Sequence, residues 1–240
     1  MTQKKYTYED FLHIIETLRS ENGCPWDREQ THMTLRPCLS EEACEVNAAI
    51  RILEETGNAD NLREELGDVL QQVVMHAQIA GEEGLFTMED VVQEVSEKMV
   101  RRHPHVFADT KVNGSGQVLE NWEEIKKKEK EGRTVLSTPL REIPRELPAL
   151  TRASKVIKKA DKLYEVQGDY QSAVEALRKV AEKLAAITPE DYSSEVVQEM
   201  GDALMALSNI SRLCKLSPEQ ILDDRIEGMI EAFEGLSTEV

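Results

Sequence analysis

Apolar residues along this chain recur at steps of three and four, and runs that alternate at steps of two are almost absent. That period belongs to amphipathic helices rather than strands. Residues 8–20 place Phe11, Ile14, Ile15 and Leu18 on one face and predict a helix. NGCPWDREQTH at 22–32 reads as a loop of turn formers around a lone Trp. Ser40 reads as the N-cap of a helix from 41 to about 55, ended by Thr56, Gly57 and Asn58. A longer helix is expected over about 62–81, stopped by Gly81 and Gly84, with an apolar side of Leu66, Val69, Leu70 and Val73. Thr87 with Asp90 three residues on makes a capping-box start for a helix reaching Arg102, where Pro104 stops it. Residues 105–116 read as a loop and 117–131 as a further helix.

From 132 to about 147 periodicity fades and Gly132, Pro139 and Pro144 accumulate, which marks 133–147 as a linker. Helices are expected beyond it at about 148–164, 172–187, 194–214 and 218–234. EELGDVLQQVVMHA at 64–77 resembles QEMGDALMALSNIS at 198–211, sharing an E-x-G-D core. An internal repeat of that kind implies two helical bundles of related design, residues 1–132 and 148–240. The fold class expected is all-α.

Charge narrows the partners. With 29 Lys and Arg against 46 Asp and Glu the net charge is −17. A coat for a nucleic-acid polymer needs the opposite balance, and an anionic membrane surface would repel the chain. No apolar run approaches a membrane span, the N-terminal stretch is polar, and Cys24, Cys38, Cys44 and Cys214 have no metal spacing. A cytoplasmic location is therefore expected, with the cysteines as small buried apolar groups. The acidity is unevenly spread: residues 40–97 hold fifteen acidic and two basic residues, whereas 98–130 hold eight basic and five acidic.

The acidic segment contains E-E-x-x-E at Glu41, Glu42 and Glu45 and E-x-x-D at Glu65 and Asp68. On helices, 42 and 45 share a face, as do 65 and 68. A short turn would make the two helices antiparallel neighbours and bring four carboxylates to one seam. Two readings stand at this point. Glu is a strong helix former, so the motif can be a solvated face; alternatively, the acids surround a cation, and an all-oxygen donor set suits Mg²⁺ or Mn²⁺. Gly67 inside a helix costs roughly 1 kcal/mol against Ala, which points to a close approach there.

The chain also carries NGCPWDREQT at 22–31, LREELGD at 62–68, RRHPHVFAD at 101–109 and NWEEIK at 121–126. These strings, with EExxE and ExxD, resemble the MazG family of nucleoside triphosphate pyrophosphohydrolases, in the same order and over essentially the whole chain. The resemblance implies Mg²⁺-dependent hydrolysis of NTP or dNTP between the α and β phosphates, in a homodimer. It implies Glu42, Glu45, Glu65 and Asp68 as metal ligands and Glu41 as a residue that orients water or acts as general base. Lys98, Arg102 and Lys126 match phosphate-binding positions, with Arg101 as a weaker alternative, and Trp122 matches a base-stacking position. Read from the residues alone, each cation can be an ordinary helix charge and Trp122 a core residue. Trp26 reads as the anchor of its loop, with a place in the pocket for it and Asp27 as the alternative. His103 and His105 read as a helix-ending corner, and His76 as a packed residue.

The second bundle departs from the pattern. Aligned on the repeat, the positions of Glu41, Glu42 and Glu45 hold Glu175, Ala176 and Lys179, or, shifted by three, Arg178, Lys179 and Glu182. Neither register restores EExxE. Catalysis is therefore assigned to the first bundle and a structural or dimerising role to the second. The competing expectation is a catalytically weak helical module that senses nucleotides or regulates a partner.

Overall fold

In the computed structural model, which describes residues 4–130, 138–164, 168–186 and 194–237, the chain divides into two compact units, Met1–Gly132 and Arg133–Val240. Every regular element among the described residues is helical, so the all-α class holds.

The first unit contains α1 (Tyr8–Arg19), α2 (Pro25–Glu29), α3 (His32–Thr56), α4 (Asp60–Glu82), α5 (Met88–Arg102), α6 (Pro104–Phe107) and α7 (Ser115–Lys130). Ser40 is not a cap. The helix begins two turns earlier, where Thr31 Oγ1 accepts from the Thr34 amide at 3.2 Å and Thr34 Oγ1 accepts from the Thr31 amide at 2.8 Å. Pro37 lies inside α3, and Ser40 Oγ donates to the Arg36 carbonyl at 3.3 Å. The stretch expected to be an unbroken loop at 22–32 holds α2, which starts at Pro25, and the expected 105–116 loop overlaps α6. The expected last residue of the helix ending at 131 lies outside the described residues.

Helices α3 and α4 form the backbone of this unit as an antiparallel hairpin. Gly57 adopts the left-handed conformation (φ 72°) that lets its amide cap Leu53 O, and Asn58 Oδ1 then accepts from the Asp60 amide at 2.8 Å. Three residues thus reverse the chain. The core joins Ile15 of α1, Leu35 of α3 and Val74, Met75 and Ile79 of α4. This moves the buried stripe of α4 toward its C-terminal half. Leu66 and Leu70, expected on the apolar side beside the acids, are 52% and 39% exposed.

The clamp that ties α1 to α4 is polar. The Arg19 side chain, 6% exposed, donates through Nη1 to the carbonyls of Asp27 (2.5 Å) and Gln30 (3.1 Å) and pairs through Nη2 with Glu82 (2.7 Å). It is Arg19, then, that holds the 22–32 segment down. Trp26, expected as the anchor, is 63% exposed. The cysteines are corrected too: Cys24 and Cys38 are half-buried, and Cys44 and Cys214 are exposed.

The second unit contains a 3-10 turn at Pro139–Glu142, α8 (Ala149–Tyr164), α9 (Tyr170–Ala185), α10 (Ser194–Leu213) and α11 (Pro218–Ser237). The end of the expected helix over 172–187 lies outside the described residues. Within the expected linker, Ile143 is buried and Glu142 pairs with Lys159 of α8 at 2.9 Å, so its described part packs on this unit. Helix α10 packs against both α8 and α9. Arg212 of α10 pairs with Asp161 of α8 at 2.7 Å, and Ser154 Oγ donates to the Ser208 carbonyl at 3.1 Å. None of the described helices is long and apolar enough to cross a membrane.

Candidate active site

Glu42 and Glu45 stand on α3 one turn apart, and Glu65 stands five residues into α4. The hairpin brings carboxylate oxygens of all three within 4.8 Å of one another. Asn61 Nδ2 donates to Glu65 Oε1 at 2.8 Å and orients that carboxylate. Glu42 is half-buried, and its carboxyl is held above the ordinary Glu value. Burial is the largest cause, followed by the field of Asp68, a hydrogen bond with Glu45 and the fields of Glu45 and Glu65. Asp68 is thus close enough to act on the same group. Glu41 is exposed and stands outside the converging trio.

Asp68, like Glu41, stands outside the converging trio and reaches Glu42 by its field; the three converging carboxylates repel one another, and a hard divalent cation relieves that repulsion through oxygen donors. The donor set present fits Mg²⁺ or Mn²⁺ and lacks the thiolate or imidazole that zinc favours. Gly67, between Glu65 and Asp68, gives no sign of close approach within the chain. A Cβ added there would meet nothing within 4 Å among the described residues.

A second group gathers where α5 meets α7. Arg102 pairs with Glu129 at 2.6 Å, and Arg101 reaches the same carboxylate at 2.8 Å. Hydrogen bonds from Arg102 and then Arg101 pull the Glu129 carboxyl down to about 2. Two cations lie over the Trp122 ring, with Lys126 Nζ 4.7 Å and the Arg102 guanidinium 5.2 Å from its centre. Arg102, Trp122 and Lys126 are therefore brought together, but Arg102 is engaged by a carboxylate that the sequence reading did not single out. Lys98 lies one turn before Arg102 on α5 and is half-buried.

The histidines sort differently. His103 links α5 to α6, its ring bonded through Nδ1 to the Met99 carbonyl at 2.7 Å, with the His105 ring 5.7 Å away. His76 is half-buried and its Nδ1 lies 2.8 Å from that of His32, a partner that sequence reading missed. Their ring centres are 5.0 Å apart and their planes 9° apart. With the two Nδ1 atoms nearest, that spacing sets the rings edge to edge in almost one plane. One ring then donates to the other, which joins the start of α3 to α4.

An open cavity of about 340 Å³ between α1, α4 and the start of α5 is lined by Glu9, His13, Glu16, Gln78 and Met88 among others, and by none of the candidate metal- or nucleotide-binding residues.

A family model described as the MazG nucleotide pyrophosphohydrolase domain matches residues 30–107, which span the converging acids and the end of α5. The chain is 39% identical over 233 residues to the nucleoside triphosphate pyrophosphohydrolase/pyrophosphatase MazG of Thermotoga maritima, covering 97% of this chain and 86% of that protein. It is 43% identical over 207 residues to the nucleoside triphosphate pyrophosphohydrolase of Escherichia coli K12, covering 84% and 76%. It is also 44% identical over 218 residues to the uncharacterized protein YabN of Bacillus subtilis, of whose length it spans 43%. An all-α protein with an acidic helical hairpin, this chain belongs to the MazG family of nucleotide pyrophosphohydrolase enzymes.

Proposed function

We propose that this chain hydrolyses nucleoside triphosphates, ribo or deoxy, between the α and β phosphates, releasing the monophosphate and pyrophosphate with Mg²⁺ or Mn²⁺ held by Glu42, Glu45, Glu65 and Asp68. The observation that carries the reading is the convergence of Glu42, Glu45 and Glu65 oxygens within 4.8 Å. Bound there, the cation supplies charge neutralisation for the polyphosphate and Lewis-acid activation. The chain's own groups do the rest. Asn61 holds Glu65 in its orientation, and Glu41, exposed one position before Glu42, takes the role of orienting the attacking water or accepting its proton in this reading. Lys98, Arg102 and Lys126 receive the phosphates, with Arg102 exchanging the Glu129 carboxylate for a phosphate oxygen. Trp122 offers a ring face to the base.

A homodimer belongs to the same reading. Val92, Val95 and Met99 on α5 are 44%, 42% and 39% exposed, an apolar stripe that a second copy would cover. Sedimentation at micromolar concentration checks it, and a monomer there removes it.

The decisive assay incubates the full chain with mixed nucleoside triphosphates and Mg²⁺ and follows pyrophosphate and monophosphate. Release that disappears in Glu45→Ala is the expected result. No release above that variant would favour the nucleotide-sensing alternative.

A further inference from the structure

Helix α7 carries Trp122, Lys126 and Glu129 at spacings of four and three, so the three share one face. Among the described helices α7 packs chiefly on α5, and Glu129 ties it there. Glu129 is half-buried, and each of its oxygens has an arginine of its own. Oε1 accepts from Arg101 Nε at 2.8 Å, and Oε2 accepts from Arg102 Nη2 at 2.6 Å.

The two arginines differ in what else they face. The Arg102 side chain is 15% exposed, lies over the Trp122 ring and follows Lys98 by one turn on the same face of α5. The Arg101 side chain is 50% exposed and is turned about 100° around the helix from Arg102, out of line with Lys98. An Arg102 that exchanges Glu129 for a phosphate oxygen takes one tie away from α7, at the moment when Trp122 and Lys126 on that helix are needed. The bond from Arg101 to Oε1 does not depend on Arg102. The Glu129 carboxyl, lowered to about 2 by Arg102 and then Arg101, stays ionised at neutral pH and so remains a strong acceptor for the arginine that stays.

We propose that Arg101 is a positioning residue for the nucleotide: it keeps Glu129, and with it the Trp122 and Lys126 face of α7, docked on α5 while Arg102 turns to the phosphates. The proposal rests on the reading of Arg102 as a phosphate contact, and it gives Arg101 a role other than binding phosphate itself.

The test follows hydrogen exchange of residues 115–130 in the full chain by mass spectrometry, with Arg102→Ala standing for an Arg102 that has left Glu129. Arg101→Ala and Arg102→Ala should each keep wild-type protection without ligand, whereas the two together should lower it by about tenfold or more. Wild-type protection in the double variant overturns the proposal, and so does a loss in Arg102→Ala alone, since Arg101 would then hold nothing. If the double variant does not fold, Glu129→Ala, which removes the shared carboxylate, takes its place, and unchanged protection in it overturns the proposal. Glu129→Gln still offers Arg101 an acceptor and should keep α7 protected. Saturating inorganic tripolyphosphate with Mg²⁺ should expose α7 in Arg101→Ala but not in the wild type or in Arg101→Lys. If the ligand-free pattern holds and tripolyphosphate leaves Arg101→Ala protected, the phosphate reading of Arg102 has failed and the hold of Arg101 has not. In turnover, Arg101→Ala should raise KM for the triphosphate several-fold with kcat near wild type, and Arg101→Lys should restore it. In a Glu129→Ala background Arg101→Ala should change KM no further. A rise there overturns the proposal, because Arg101 would then act on the nucleotide directly.

Discussion

The hairpins α3–α4 and α9–α10 carry the same E-x-G-D string on their second helix, and their surroundings set that string to different uses. In the first, α3 adds Glu42 and Glu45, so like charges crowd until the Glu42 carboxyl rises above its ordinary value. In the second, α9 adds Lys183, and the buried Glu199 is neutralised inside the chain. Sequence similarity along α4 and α10 thus says little about chemistry, which depends on what the facing helix contributes. A carboxylate that keeps its charge without an internal partner is available to a ligand; one already paired is available to stability.

The comparison breaks most visibly in activity. Glu42→Gln with Glu45→Gln should reduce pyrophosphate release by at least about 100-fold, because a cation's contribution to such a transition state is worth several kcal/mol. The fold should be kept or strengthened, since mutual repulsion is relieved. Glu199→Gln should leave pyrophosphate release near wild type and change the melting temperature instead. Activity that survives the first pair and dies with Glu199→Gln would reverse the assignment of the two hairpins.

Next come the clamps that fasten each hairpin to the first helix of its unit. Arg19 lies on α1 and its carboxylate, Glu82, on α4, whereas the second unit reverses the charges, with Asp161 on α8 and Arg212 on α10. The Arg19 side chain also satisfies two carbonyls, so Arg19→Ala should destabilise the chain by about 2–4 kcal/mol, leaving buried acceptors unmet. Arg212→Ala should cost less, because its other partner is the side chain of Asn209, one turn away on its own helix. Denaturant melts of the two variants rank them, and an equal or reversed order would show that the loop contacts of Arg19 contribute little.

These clamps also mark where sequence reading stops. The convergence of Glu42, Glu45 and Glu65 was legible because Glu42 and Glu45 lie within one helix at a spacing of three, and a short turn dictates the hairpin that brings Glu65 to them. The start of α3 was not, because Thr34 rather than Glu completes its capping box and Pro37 follows within the helix. Arg19 and Glu82 are 63 residues apart, and no local period announces such a pair. Glu129 was missed for the same reason: on α7 it reads as one more solvated charge until α5 is packed beside it. Trp26 misled because a lone large aromatic in a loop usually seeks a core, while here a buried guanidinium holds the loop.

A smaller effect is expected where the first unit does contain an internal pair. Glu129 holds Arg101 and Arg102, and its carboxyl is depressed to about 2 from 4.5. A depressed carboxylate stabilises the fold above its unfolded value and loses that contribution as pH falls from about 4.5 toward 2. The melting difference between wild type and Glu129→Gln should therefore be full at pH 6 and shrink below 4.5. At neutral pH the same variant frees Arg102, so KM for the triphosphate should fall a few-fold while kcat changes little. An unchanged KM would mean that Arg102 does not exchange Glu129 for phosphate.

The finest discrimination between the hairpins lies in their shared glycines. Gly67 and Gly201 occupy the same place in the repeat, both inside helices, and a Cβ at either would meet nothing within 4 Å among the described residues. A helix-interior glycine in open space should gain about 0.5–1 kcal/mol on becoming Ala, since backbone freedom in the unfolded chain is reduced and nothing is displaced. Gly201→Ala should show that gain in a denaturant melt with pyrophosphate release unchanged. Gly67→Ala should show the same gain in stability, so that any loss of activity in it alone reports a ligand approaching the backbone between Glu65 and Asp68. Equal behaviour of the two variants in both measurements would leave the carboxylates, and not the glycine between them, as the feature that separates the two hairpins.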